Sequence, residues 1–89
     1  MYLAVSTNTK DVSALVTAEF QRVDELRAAG TITGGWLKSD FSGAILLLDC
    51  ADEGEAIAAL NTLPIVVNDA TSFVLTQIVD LESVRASLA

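Results

Sequence analysis

Between Ala44 and Cys50 the chain reads AILLLDC, apolar at odd and even positions alike. Successive strand residues point to opposite faces, so a run without alternation fits a central strand covered on both sides. Apolar residues also occupy both parities in Met1–Ser6 (MYLAVS), where Leu3 and Val5 alternate with Tyr2 and Ala4, and in Ser72–Leu81 (SFVLTQIVDL). A sheet built from such strands cannot leave either face in water cheaply, which limits the chain to folds in which something covers each face.

The segments between these strands have helical character. From Asp11 to Ala29, about 100° per residue puts Val12, Leu15, Val16, Val23 and Leu26 on one apolar stripe. Asp11 can start this helix and Gly30 reads as its stop. Ile32–Ser39 (ITGGWLKS) reads as a second strand, whose Gly34–Gly35 pair suggests a bulge or a close backbone approach. Asp40–Gly43 reads as a turn. Asp52 or Glu53 opens a second helix on the spacing Ile57, Leu60, Leu63, and Pro64 ends it. Asn68–Ala70 reads as a loop, and residues 82–89 as a short terminal helix or an arm. The order βαββαβ predicts one α+β domain of ferredoxin-like plan over residues 1–89, a four-stranded antiparallel sheet with its helices on one face. The simplest cover for the other face is a second copy of the sheet, giving a homodimer built as a dimeric α/β barrel.

Composition narrows the function. Eighty-nine residues suit one modest core, and 52% apolar content fits a chain that hides surface against another subunit. The net charge is −7, with five scattered basic residues, so neither nucleic acid nor an anionic membrane is an expected partner. No stretch has the length of a membrane span and no leader pattern is evident, so a cytoplasmic location is the default. The absence of histidine removes His-based triads, His metal sites and the usual neutral-pH proton shuttle. Cys50, the single cysteine, reads as a small buried hydrophobe. Asp52, Glu53 and Glu55 favour the dipole of the second helix and need no metal. No phosphate-cradling, flavin or nicotinamide motif occurs, so neither metal nor cofactor is expected.

Glu19 is out of place. It falls inside the apolar stripe of the first helix, flanked by Leu15, Val16 and Val23. A carboxylate against apolar surface must find a partner, hold a proton or do chemistry. Three readings follow: the helix is rotated so that Glu19 reaches water, Glu19 pairs with Arg22, or it has a raised pKa suited to proton transfer.

The chain resembles the muconolactone isomerase family of small dimeric α/β barrels. The resemblance rests on Glu19, Leu26, Gly30, Trp36 six residues after Gly30, Asp49, Leu63-Pro64-Ile65, and Leu81 taken as the close of the fourth strand. It runs from about residue 15 to 81. It implies a cofactor-free isomerase of aromatic catabolism that shifts a double bond on a small lactone or enolisable carbonyl compound, assembled as a homodimer or a larger ring. Glu19 would be the catalytic base. The chain departs from the family where Leu37, not Arg, follows Trp36, and where Glu82-Ser83-Val84 replaces a His-Pro tail.

Four further residues are candidates for substrate binding. Trp36 and Lys38 share a strand face, one offering an apolar wall and the other a charge for an enolate or carboxylate; packing and a solvated strand end are their alternatives. Tyr2, the only phenol, is an oxyanion donor or an edge-packing residue. Gln77, on the parity of Phe73, Leu75 and Val79, is a pocket donor or a hydrogen-bonded interface residue. Asp49 reads as a turn or capping residue. Two other functions fit the same fold: a non-catalytic dimeric barrel that binds a small apolar ligand or serves as an assembly subunit, and a cofactor-free monooxygenase.

Overall fold

The computed structural model describes residues 1–88. The strands are β1 (Tyr2–Asn8), β2 (Ile32–Leu37), β3 (Ala44–Leu48) and β4 (Thr71–Gln77). The helices are α1 (Val16–Ala28), α2 (Glu53–Leu60), α3 (Pro64–Val67) and α4 (Leu81–Leu88). The sheet order is β2-β3-β1-β4 with every pair antiparallel, so the two βαβ halves interleave as the ferredoxin-like plan requires. The doubly apolar β3 is indeed an interior strand.

Register assigns each side chain to a face, because cross-strand partners point the same way. Tyr2, Ala4, Leu46, Leu48 and Ile32 face the helices and form the core with Leu26, Ala56, Leu60 and Leu63. Each fully buried Leu or Ile of this set contributes about 1.5–3 kcal/mol. Leu3, Val5, Trp36, Ile45, Leu47 and Val74 share the opposite, open face. Among the described residues no element covers them as the helices cover the core.

The helix ends follow local chemistry. Asp11 does open the first helical segment: its Oδ1 accepts from the Ser13 N–H and hydroxyl, and one 3₁₀ turn (Ser13–Leu15) leads into α1. Gly30 ends α1 at φ +80°, a conformation glycine takes without a Cβ penalty. At α2 the Asp52 carboxylate accepts from the Glu55 N–H at 2.8 Å, and Glu55 reaches back to the Ala51 N–H at 3.1 Å. This reciprocal cap predicts that Asp52→Ala lowers stability by about 1 kcal/mol, read as a shift of the urea midpoint at unchanged slope.

Several boundaries depart from the sequence reading: β1 runs on to Asn8, α1 starts at Val16 after the 3₁₀ turn, and β2 stops at Leu37. α2 stops at Leu60, and Pro64 starts α3 instead of merely ending α2, because a proline at the first helical position sacrifices no hydrogen bond. β4 stops at Gln77, not Leu81. One further bond, from the Ile78 N–H to the Met1 carbonyl, prolongs the pairing; then the Asp80 carboxylate accepts from Ser83 and turns the chain into α4. Leu81 therefore begins a helix, and its match to the close of a family strand lapses. α4 buries none of its residues. Ala89 lies outside the described residues.

The Gly34–Gly35 pair does coincide with a bulge, between Ile32 and Gly34. One extra residue reverses the facing of everything after it. Ile32 points to the helices, and Trp36, four residues on, points to the open face.

At the other end of the β2–β3 hairpin, Gly43 packs on β1. A Cβ there would lie 1.8 Å from the Ser6 carbonyl oxygen. Backbone must move to admit it, so Gly43→Ala is expected to cost about 3 kcal/mol, visible as loss of the cooperative thermal transition or a large drop in its midpoint.

Candidate active site

A cavity of about 560 Å³ lies between α1 and the helix-facing side of the sheet, at the end of β1 that carries Ser6 and Asn8. Its wall is mostly apolar, with Val12, Val16 and Val23 on one side and Leu46, Ile65 and Phe73 on the other. The β2–β3 loop brings Phe41 to the mouth, with φ +61° at Phe41 holding the loop in that turn. That volume falls in the range typical of small-molecule sites.

Glu19 lines this cavity. It sits on the first turn of α1 and is half-buried. Its Oε1 accepts from the Ile65 N–H at 3.1 Å. That N–H belongs to the first turn of α3, where no preceding residue turns within the helix to accept it and Leu63 provides no side-chain cap. Glu19 thus caps a helix from another part of the chain. No hydrogen bond among the described residues engages Oε2. Burial raises the Glu19 pKa above its ordinary value, and the Ile65 N–H, which favours the charged form, pulls against that rise. The pairing with Arg22 does not form: Arg22 donates to Glu25 at 3.3 Å and to the Thr62 hydroxyl at 2.9 Å.

The other sequence candidates stand elsewhere. Trp36 borders the cavity along the strand, but its ring lies over Gly34, where a Cβ would meet it at 3.0 Å, and it is 57% exposed on the open face. Lys38 does share that face and donates to the Thr7 hydroxyl at 3.0 Å. The bulge accounts for the facing of Trp36, which still contributes to the cavity lining, while Lys38 does not line the cavity. Tyr2 is 6% exposed in the core and is the cross-strand partner of Gln77. The pair lies four residues along β1 from Ser6, about 13 Å away, and does not line the cavity. Asp49 is exposed after β3, its N–H bonded to the Thr31 carbonyl.

The cavity has polar groups that the sequence reading passed over. Ser6 is fully buried; its hydroxyl accepts from the Ala44 N–H at 2.8 Å and so completes the β1–β3 ladder with a side chain. Asn8 accepts from the Thr71 hydroxyl at 3.1 Å through Oδ1. Both sit on the buried parity of β1 (Tyr2, Ala4, Ser6, Asn8), where a polar residue is a signal in its own right. Arg27 was also missed, although it lies two turns after Glu19 on the same helix. Among the described residues no group of three or more His, Cys, Asp or Glu could hold a metal ion, and no helix is long and apolar enough to cross a membrane.

Sheet order, connection and helix placement define the protomer fold of the dimeric α/β-barrel class. No family model and no curated protein matches the sequence. Among solved structures the chain is similar to the 5-chloro-2-hydroxyhydroquinone dehydrochlorinase TftG from Burkholderia phenoliruptrix AC1100, in complex with 2,5-dihydroxybenzoquinone. The TM-score is 0.71 at 12% identity, covering 93% of this chain and 98% of that one. The likeness establishes the ferredoxin-like α+β fold, and in that neighbour the fold carries an enzyme that has been seen with a small cyclic ligand.

Proposed function

We propose that this chain is an isomerase-like enzyme that moves a proton next to a carbonyl, with Glu19 as its base. The observation that supports this most is the Glu19 carboxylate, half-buried in a mostly apolar cavity of about 560 Å³, one oxygen fixed by Ile65 and the other uncommitted. Burial that raises its pKa brings the base closer to working pH. The carboxylate takes a proton from the carbon beside a carbonyl or lactone group, leaving an enolate and a neutral carboxylic acid. The acid then returns the proton at another carbon, and the double bond has moved. No redox or metal cofactor is required for this step. The fold neighbour's quinone ligand supports a small, oxygenated cyclic substrate, and the sequence resemblance supports an unsaturated lactone.

The same proposal includes a homodimer in which two open faces pack together, hiding Trp36, Val74 and their neighbours. Higher ring assembly is an extension of that arrangement.

The test is NMR in D₂O with muconolactone and related unsaturated lactones. Deuterium incorporation catalysed by the wild type and absent from the Glu19→Gln variant supports the reading. A folded wild type that exchanges none of them refutes it and favours a non-catalytic barrel. One observation already supports that second reading: Oε1 of Glu19 serves as a helix cap, a sufficient structural reason for the residue.

A further inference from the structure

A proton-transfer site must hold its substrate as well as deprotonate it. Along α1, Glu19, Val23 and Arg27 follow one another at four-residue intervals, so they stand in a row on one side of the helix. All three line the cavity. Eight residues at about 1.5 Å each separate the two charged positions by about 12 Å of helix, and Val23 lies between them. Carboxylate and guanidinium are therefore too far apart to pair. Side chains on a helix lean toward its N-terminus, a direction that favours Arg27 facing the same cavity as Val23 and Glu19.

Among the described residues Arg27 makes no ion pair and no side-chain hydrogen bond. The two ion pairs among the described residues are Arg22–Glu25 and Arg85–Glu82. Lys38 is engaged by Thr7. Asp24, one turn before Arg27, also borders the cavity but makes no ion pair with it, and Asp11 is held by Ser13. Opposite the guanidinium the strand carries Gly35, and a Cβ built there would stand 3.6 Å from its Nη2. The missing side chain gives the guanidinium an open bed on β2.

The geometry points to Arg27 as an anion anchor: the site takes a small planar molecule, about one ring across, with a carboxylate or an enolic oxygen at one end and its exchangeable carbon at the other, over Glu19. This deepens the proposed function and rests on the same cavity. The guanidinium offers two parallel N–H donors that match a carboxylate fork. With Asp11 and Asp24 nearby and an overall charge of −7, the attraction acts at short range through those bonds, not through a steering field.

The probes are benzoate and benzamide, alike in shape and different in charge, titrated into the wild-type protein and followed by amide chemical shifts. Benzoate is expected to bind about tenfold or more tightly than benzamide, with shifts centred on Val23, Arg27 and Gly35. Arg27→Gln should bring the two ligands level, and Arg27→Lys should restore part of the difference. Arg22→Gln, outside the cavity, should leave the preference intact. Equal binding of the two probes by the wild type, no saturable benzoate shift, or a preference that survives Arg27→Gln overturns the assignment. Because no proton moves in this titration, it separates the two ideas. Anchoring kept by Glu19→Gln while exchange is absent in the wild type refutes the base alone. Exchange without a benzoate preference refutes the anchor alone.

Discussion

Glu19→Gln is expected to slow solvent-deuterium incorporation by about 10²–10⁴-fold while raising thermal stability at neutral pH. Both effects come from one feature. Glutamine keeps the oxygen that accepts the Ile65 N–H and removes only the charge, so α3 stays capped. The folded-state pKa of Glu19 is raised above its ordinary value of 4.5, chiefly by burial. The folded protein then binds more protons than the unfolded chain in the window above pH 4.5, and wild-type stability falls as pH rises through it. The variant lacks this penalty. Its melting temperature should exceed that of the wild type at pH 7 and converge with it at about pH 4. The exchange rate should follow the opposite course, rising with pH as the base loses its proton and levelling above its pKa. A variant that exchanges like the wild type would end the catalytic reading. A variant that is less stable than the wild type at pH 7 would mean that the carboxylate is held by something stronger than one backbone N–H.

Val74→Glu is expected to convert a dimer into a monomer. Val74 is 67% exposed in the single chain, so a glutamate there meets water and leaves the protomer folded. In a dimer formed through the open faces the same glutamate would be buried, once from each copy. Removing an unpaired charge from water costs several kcal/mol, so association should weaken by about 10³-fold or more. Sedimentation at low micromolar concentration is the measurement. The wild type should run at twice the 9.4 kDa of one chain and the variant at 9.4 kDa. A wild type that sediments as a monomer would remove the barrel assembly altogether.

Much of the fold was legible because patterning and stop signals agreed. Gly30 marked the end of α1 and adopts the positive φ that made it a good stop. The two-parity β3 run marked an interior strand. The failures have specific causes. Pro64 was read only as a terminator, although proline is equally suited to start a helix. In Ser72–Leu81 the apolar residues continue past the true end of β4, and hydropathy has no means of placing the break that Asp80 makes. The candidate site suffered most from the bulge. The sequence showed a glycine pair where a bulge could form, but not that one would form before Trp36. A one-residue slip turned Trp36 toward the open face, so that it meets the cavity holding Glu19 only from the border. Glu19 itself stood out because a charge inside an apolar stripe is anomalous unless the helix turns it to water, and the structure leaves it half-buried. Arg27 did not, because an arginine near a helix C-terminus already has an ordinary explanation in the dipole.

The bond between Glu19 and Ile65 couples α1 to the second half of the chain across 46 residues. Were α3 to move outward, that bond would lengthen and its acidifying pull on the carboxylate would weaken. The same movement would admit water, which would relieve the burial that makes the carboxylate more basic. The two changes have opposite signs. Anything that loosens α3 would therefore act on the base through two opposed effects, the lost N–H and the gained hydration.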